Sequence, residues 1–248
     1  MAPTSLAARG PDATTLVSCL CVTEGRHPFM PWLLWGFDRQ TWPARELLIV
    51  DSSDPPFDSG TRANVRVIVA RAGANVPEKR NLALQEARGN IVTWFDDDDW
   101  QHPLRLEWLL EALAGGAPYA GSTSGWFVDL DRLRCTAHHG VPSRIVFNSA
   151  GFVRDAVLPV KFREDRRRAS DTSWMRLLAA RFQSRQAIVT KGDLFFWLSH
   201  DRNISNPSRR RRFPHELDIL RERIGADAWG DTDEALEQLR ARVAAVAA

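Results

Sequence analysis

The sequence predicts an α/β fold in which a mostly parallel central sheet carries helices on both faces. This prediction rests on short apolar, β-rich runs that alternate with segments of helical spacing. Two of the runs are followed by acidic residues, Asp51 and Asp96–Asp99, which this fold would place at one edge of the sheet. The 248 residues are 44% hydrophobic and 26% charged, as in ordinary globular proteins. That composition excludes collagen-like, low-complexity and wholly disordered chains.

Apolar runs in the first 100 residues predict four buried strands, and the segments around them predict helices. The strands are expected at residues 16–22, 46–50, 65–70 and 91–95. Helices are expected at residues 29–39, 77–88 and 104–113. Pro77 lies in the first turn of the second helix, and Gly89 is expected to end it.

The second half of the chain has a less regular pattern. Strands are expected at residues 126–130, 143–147, 187–190 and 194–198. Helices are expected at residues 171–182, 214–224 and 232–246. Asp171 is expected at or near the N-cap of the first of these helices. Residues 1–14 are small and polar, and we expect them to form a flexible N-terminal arm.

The charge balance does not favour nucleic acid as a partner. Lys and Arg number 33 against 31 Asp and Glu, which leaves a net charge of +2. A protein that binds nucleic acid through its overall charge is usually more basic, and only the arginines at 166–168 and 209–212 favour such binding. No apolar run approaches the roughly 18 residues of a spanning helix, and a signal-peptide pattern is missing. We therefore expect a soluble, cytoplasmic protein.

The cysteines do not indicate a disulfide framework or a redox motif. Cys19, Cys21 and Cys135 form an odd, small set, and the first two are separated by a single residue. That spacing is typical of one face of a strand, so the three residues are expected to be buried thiols.

Four consecutive aspartates, Asp96 to Asp99, are the strongest chemical signal in the sequence. An acidic run is usually a solvated loop, but this one directly follows a buried strand and precedes Trp100. Carboxylates at such a position repel one another unless a cation or hydrogen-bond donors neutralise them. Hard oxygen ligands suit Mg²⁺ or Mn²⁺, which favours a metal and phosphate site here.

Four further residues are candidates for the same site, each with an ordinary alternative. Asp51 follows the second strand, where it is either a turn residue or an acceptor for a nucleotide base or ribose. Arg80 is either a surface helix residue or a cation near the nucleotide. Asp171 is an N-cap, a role compatible with facing a cleft. A lone His200 is more often structural, although a nearby acidic metal site favours a ligand role.

An ordered set of motifs resembles the inverting family 2 glycosyltransferases, which have the GT-A fold. The matching stretches are residues 17–23 (VSCLCVT), 40–43 (QTWP), 46–53 (ELLIVDSS), 79–89 (KRNLALQEARG), 91–100 (IVTWFDDDDW) and 170–178 (SDTSWMRLL). The resemblance implies a GT-A domain over residues 15–213, with a nucleotide-binding half at about 15–100 and an acceptor-binding half at about 101–213. Residues 214–248 would form a helical extension.

The resemblance also implies roles for individual residues. Thr23 and Asp51 would contact the nucleotide base or ribose, and Arg80 would approach the base. Asp96 and Asp98 would form the D-x-D pair, and Asp98 would bind the metal.

Other roles follow from the same resemblance. Asp97 and Asp99 are assigned to the donor, with Asp99 near its sugar. His200 would complete the metal site. Asp171 would be the catalytic base, although Ser170 replaces the family's usual Glu before it. Residues 199–212 would be a lid or a basic loop.

These roles imply a metal-dependent inverting transferase that uses Mn²⁺ or Mg²⁺ and a nucleotide-diphosphate sugar, with a UDP-sugar as the default donor. The acceptor is left open among a natural product, a glycan, a lipid-linked sugar and a peptide. Whether the protein forms a homo-oligomer is also left open. Two other classes stay as alternatives: a sugar-phosphate nucleotidyltransferase, and a non-catalytic protein that binds a nucleotide sugar or glycan. The first usually begins with a Gly-rich phosphate loop, which residues 16–28 lack.

Overall fold

The computed structural model describes residues 14–165, 169–191, 193–200, 203 and 212–245. Its strands are β1 (Val17–Thr23), β2 (Arg45–Asp51), β3 (Val65–Val69), β4 (Ile91–Trp94), β5 (Asp99–Gln101), β6 (Tyr119–Gly121), β7 (Ser124–Asp129), β8 (Arg134–His139), β9 (Gly151–Val153), β10 (Ala187–Ile188), β11 (Phe195–Ser199) and β12 (His215–Glu216). Its α-helices are α1 (Met30–Asp38), α2 (Val76–Glu86), α3 (Arg105–Leu113), α4 (Arg154–Val157), α5 (Ser170–Arg181), α6 (Leu217–Ile224), α7 (Ala226–Trp229) and α8 (Thr232–Ala245). Short 3-10 turns lie at His27–Phe29 and Phe147–Ser149.

The larger sheet has the strand order β10-β6-β9-β4-β1-β2-β3 within the described part of the chain. β1 pairs in parallel with both β2 and β4, and β2 pairs in parallel with β3. β9 runs antiparallel to β4 and β6. The predicted mostly parallel central sheet is therefore confirmed.

Side chains alternate between the two faces of this sheet, and each face packs against helices. Cys19, Cys21 and Leu47 belong to a core that includes apolar residues of α1 and α3. Leu20 and Leu48 belong to a second core that includes residues of α2 and α5. The helices therefore cover both faces, as the sequence predicts, and the three cysteines are buried.

A smaller sheet, in the order β12-β8-β7-β11-β5, packs beside the first. Its apolar residues share a core with α1 and with the helices that follow residue 216. Leu220, Trp229 and Leu236 are almost fully buried there against Trp100 and Phe196. The C-terminal helices thus complete the core behind this sheet.

Some sequence-based expectations are wrong in detail. Residues 143–146 are not a strand: they form a loop that leads into the 3-10 turn at Phe147–Ser149. The helix expected from residue 214 begins at Leu217, after the short strand β12. Gly89 does not end α2, which already stops at Glu86, with Ala87 as its C-cap.

Three parallel strands end at the same edge of the larger sheet. Thr23, the last residue of β1, lies opposite Asp51, the last residue of β2. β4 pairs with the other side of β1 and ends at Trp94, two residues before Asp96. The carboxyl ends of parallel strands are where open α/β sheets bind ligands.

Candidate active site

A cavity of about 940 Å³ opens at this edge of the larger sheet. Its lining brings together groups that are far apart in sequence. They include Arg26, Arg80, Asn148, Asp171 and the four aspartates Asp96, Asp97, Asp98 and Asp99. The volume lies within the range of about 300–1,000 Å³ that is usual for small-molecule sites.

The four aspartates fold inward rather than into solvent. Asp97 and Asp99 are 4% and 5% exposed, and Asp96 and Asp98 are partly buried. Buried carboxylates repel one another unless donors or cations satisfy them. Each of the four has a hydrogen-bond partner among the described residues.

Arg26 is the main positive charge at the acidic turn. Its Nε donates to both oxygens of Asp97, at 2.9 and 3.0 Å, and its Nη2 pairs with Asp98. Thr23 Oγ1 donates to Asp97 Oδ2 at 2.7 Å. Gly25, at φ +63°, turns the chain just before Arg26, a conformation that favours glycine. The sequence reasoning missed Arg26, and the Gly-Arg pair directly after β1 was the available signal.

Asp98 and His200 meet at the metal position that the resemblance implies. His200 is buried just after β11, and its Nε2 lies 3.1 Å from Asp98 Oδ2. Asn203 Nδ2 donates to the same oxygen at 3.1 Å. Burial raises the pKa of Asp98, but Arg26 and His200 outweigh that effect and hold the pKa at about 2. Asp98 is therefore ionised at neutral pH.

Asn148 connects Asp96 and Asp99, and the sequence reasoning did not select it. Its Nδ2 donates to Asp96 Oδ2 at 2.6 Å and to Asp99 Oδ2 at 2.7 Å. Burial, together with the charges of Asp98 and Asp96, raises the pKa of Asp99 well above its usual range. Burial likewise raises the pKa of Asp97 to about 7, against the opposing charge of Arg26. The turn therefore combines carboxyl groups of very different acidity.

A third missed residue, Lys79, lies at the edge where β1 and β2 end. Its Nζ donates to the carbonyl oxygen of Thr23 at 2.8 Å and to Ser52 Oγ at 2.9 Å. Burial lowers its pKa, although Glu24 opposes that effect. Lys79 thus ties the start of α2 to the ends of β1 and β2.

Asp51 is fully buried and hydrogen-bonded within its own loop. Its Oδ1 accepts from the Ser53 amide at 2.9 Å, and its Oδ2 accepts from the Phe57 amide at 2.7 Å. His27 Nε2 lies 3.3 Å from Oδ2. Burial raises the pKa of Asp51, but these hydrogen bonds outweigh it and lower the pKa overall. Its nucleotide role stays a prediction.

Asp171 and Arg80 line the same cavity as Arg26 and the acidic turn. Asp171 is partly buried in the first turn of α5, at the cavity surface, and its N-cap is Ala169. Asp171 therefore lies near the N-cap, two residues after it, and is not the N-cap itself. Arg80 lines the cavity and donates from Nη1 to Ser170 Oγ at 3.2 Å. The electrostatic influence of both Arg80 and Asp171 reaches Asp96.

The described residues do not contain a ready-made metal cluster of three or more His, Cys, Asp or Glu side chains. The Asp98 oxygen and the His200 nitrogen are nevertheless donor types that suit Mn²⁺. Divalent ions of this kind often take only one or two protein ligands and complete their shell with phosphate oxygens. The donor pair fits such an ion when a diphosphate is bound with it.

Part of the predicted basic surface lies outside the described residues. This applies to Arg166, Arg167 and Arg168, to Arg209, Arg210 and Arg211, and to most of the expected lid at 199–212. None of the helices in the described part of the chain combines the length and apolar character that crossing a membrane requires.

The fold belongs to the GT-A class, with a mostly parallel central sheet and helices around it. Solved structures support the fold. S. aureus TarS aligns with a TM-score of 0.58 at 15% identity, over 73% of this chain and 36% of that chain. TarS 1-349 in complex with UDP-GlcNAc aligns with a TM-score of 0.57 at 14% identity, over 75% and 59%.

Another solved structure aligns over a longer part of the chain. The mannosyltransferase PcManGT from Pyrobaculum calidifontis, in complex with GDP-Man and Mn²⁺, aligns with a TM-score of 0.51 at 17% identity. It covers 98% of this chain and 79% of that chain. The present chain thus spans only about a third to three fifths of the TarS chains that it matches.

Residues 30–134 match the family model described as glycosyl transferase family 2. The resemblance to family 2 glycosyltransferases with the GT-A fold is therefore confirmed. No curated protein sequence matches the chain.

Proposed function

We propose that this protein transfers a sugar from a nucleotide-diphosphate sugar to an acceptor by a single displacement that inverts the anomeric carbon. The observation that carries the proposal is one cavity, at the carboxyl ends of β1 and β4, lined by both the acidic turn and Asp171. A donor-binding cluster and a separate carboxylate in the same cavity are the two parts that such a displacement needs.

Structural neighbours support a nucleotide sugar as the donor. Their titles record complexes with UDP, with UDP-GlcNAc, and with GDP-Man and Mn²⁺. These neighbours do not choose between uridine and guanosine, and we keep a UDP-sugar as the default. The acceptor is left unspecified.

Asp171 is proposed as the general base. Its carboxylate is open to the cavity at the start of α5, so an acceptor hydroxyl can approach it from the cavity side. It removes the hydroxyl proton as the oxygen attacks the anomeric carbon and the bond to the nucleoside diphosphate breaks. The acidic turn lines the same cavity, and its Asp98 is proposed to hold Mn²⁺ or Mg²⁺ together with His200. Such an ion supplies Lewis-acid stabilisation of the diphosphate leaving group.

Arg26 is placed to adjust the charge of this site. It neutralises two carboxylates in the structure described here. When a divalent ion and a diphosphate are bound together, its guanidinium has phosphate oxygens as alternative partners. Arg26 is thus expected to contribute to donor binding.

The experiment is a comparison of the wild-type protein with Asp171→Asn. We expect wild-type protein to bind one nucleotide sugar of a UDP- and GDP-sugar panel in the presence of Mn²⁺, and to hydrolyse it slowly without acceptor. Asp171→Asn should reduce turnover by about 100-fold or more, as loss of a general base does. Binding of the nucleoside diphosphate with Mn²⁺, measured by calorimetry, should be unchanged.

Asp155→Asn is the matched control, because Asp155 lies in the first turn of α4 and its side chain is 85% exposed. It should keep wild-type turnover. Full turnover by Asp171→Asn would contradict the base assignment. Binding without any turnover by the wild-type protein would instead favour a non-catalytic nucleotide-sugar-binding protein.

A further inference from the structure

Arg80 is a buried cation that lines the cavity. It is only 8% exposed, and it forms no ion pair with a carboxylate of the described residues. Within that same part of the chain, its Nε has no hydrogen-bond partner. Burial of a guanidinium with so few polar partners is costly, so its position needs a specific explanation.

Three aromatic rings hold the Arg80 guanidinium in place. Its central carbon lies 4.5 Å from the ring centroid of Phe147 and 5.5 Å from those of Trp94 and Phe162. These distances are within the range of cation–π attraction, which is strongest when the cation is shielded from water. The rings fix where the guanidinium points.

One of these three rings packs against α5, the helix that carries Asp171. Phe162 stacks on Trp174 of α5, with centroids 4.4 Å apart and an interplanar angle of 12°. Trp174 is fully buried and donates from Nε1 to the carbonyl oxygen of Val160 at 2.6 Å. Arg80 and the second turn of α5 therefore share one rigid aromatic cluster.

Arg80 also contacts the first turn of α5 directly. Its Nη1 lies 3.2 Å from Ser170 Oγ, and Ser170 is buried immediately before Asp171. The residue before the helix, Ala169, has φ +51° and provides no side-chain cap. The helix start therefore lacks a side-chain cap, and the Arg80–Ser170 hydrogen bond is a contact that fixes its first turn to α2.

We propose that Arg80 is a positioning residue that holds the start of α5 so that the Asp171 carboxylate faces the reacting centre. This inference rests on the proposed function. The resemblance implies instead that Arg80 contacts the base of the nucleotide. The observed partners of Arg80 are Ser170 and three aromatic rings.

The test separates positioning from nucleotide binding. A misplacement of about 1 Å can lower a rate by about 100-fold, so Arg80→Met should reduce kcat to that extent with donor KM changed by less than about threefold. Arg80→Lys keeps the cation within the aromatic rings and should restore part of kcat. Ser170→Ala removes a single hydrogen bond and should lower kcat by about fivefold.

Hydrogen exchange supplies a readout that does not depend on turnover. Arg80→Met should accelerate exchange of the amides at residues 172–175, while exchange in α3 stays as in wild type. Arg88→Met is the matched control, since Arg88 follows the same helix with an exposed side chain, and it should change neither measurement.

A rise in donor KM with kcat retained would overturn the proposal and restore the nucleotide role of Arg80. Unchanged exchange at residues 172–175 in Arg80→Met would overturn it as well. Failure of the proposed function looks different, because wild-type protein would then show no turnover with any donor of the panel.

Discussion

The ionisation of individual buried carboxyl groups depends on the hydrogen-bond donors and cations that contact them. Asp98 and Glu46 are both enclosed by protein, and in both cases cationic or amide donors outweigh the burial that would otherwise raise the pKa. Among the described residues, the side chain of Asp99 accepts from the neutral amide of Asn148, and burial together with the neighbouring carboxylates raises its pKa. Adjacent residues of one acidic run therefore differ because of their partners, since their chemistry is identical.

Glu46 offers a test of this balance away from the cavity. Its Oε1 accepts from Ser18 Oγ at 2.7 Å and from the Arg88 amide at 2.8 Å, and its Oε2 accepts from Arg66 at 3.0 Å. Burial raises its pKa, but these donors lower it overall. Glu46→Gln should reduce the free energy of unfolding at pH 7 by about 1–3 kcal/mol.

The sign of the pH dependence follows from the lowered pKa. The contribution of ionised Glu46 is fully present above its usual pKa of about 4.3 and is lost as pH falls through the lower native value. Urea unfolding at pH 7, 5 and 3 should therefore show the difference between wild type and Glu46→Gln shrinking toward pH 3. Glu237→Gln, at an exposed ion pair, should cost under about 1 kcal/mol. A difference that is the same at every pH would contradict the assignment.

At the scale of elements, close contacts between backbones set the position of the site. β1 is central, because it pairs with β2 on one side and with β4 on the other, and so brings Thr23, Asp51 and the acidic turn to one edge. Residues 87–90 connect the end of α2 to the start of β4. Gly89 lies in that connection, and its amide donates to Ser18 Oγ at 2.8 Å.

Gly89→Ala should destabilise the protein. An added Cβ would lie 2.7 Å from the Leu16 carbonyl oxygen and 2.7 Å from the Ser18 amide nitrogen, so β1 and β4 must shift apart. Such overpacking typically costs about 1–3 kcal/mol. The measurement is the urea midpoint of unfolding. Gly36→Ala is the control, since a Cβ there meets nothing within 4 Å and α1 favours alanine. Equal midpoints for the two variants would refute the close approach.

At the scale of the whole molecule, the C-terminal helices support the sheet that continues from the acidic turn. β5 begins at Asp99, and the next residue, Trp100, stacks on Phe196 at 4.9 Å. Trp100 also donates to Thr232 Oγ1 at 3.3 Å, at the start of α8. The helices after residue 216 are thus connected through one core to the residues beside the cavity.

Truncation of this core should lower the stability of the whole protein. Leu220→Ala and Leu236→Ala each remove a side chain that is fully buried, and each should cost about 2–5 kcal/mol. Ile219→Ala lies in the same helix as Leu220 at 40% exposure and should cost under about 1 kcal/mol. Calorimetric melting should show one cooperative transition shifted downward in the two leucine variants. A separate low-temperature transition would show that the C-terminal helices unfold independently.

The sequence by itself determined the alternation of strands and helices and the acidic turn after β4, because both follow from patterns within about ten residues. It also brought Asp171 to the start of a helix and buried the three cysteines. The sequence pattern did not predict the short strands β6 and β9, because three residues are too few to show a periodicity.

Only the tertiary structure decided which groups share the cavity. Arg26, Asn148 and Lys79 are 71, 52 and 56 positions from partners that they contact, and no local pattern encodes such distances. Long-range packing also placed Arg80 against α5 and enclosed Asp51 in its own loop. The charge state and orientation of the candidate site therefore depend on non-local contacts, which form only when the sheets and helices come together.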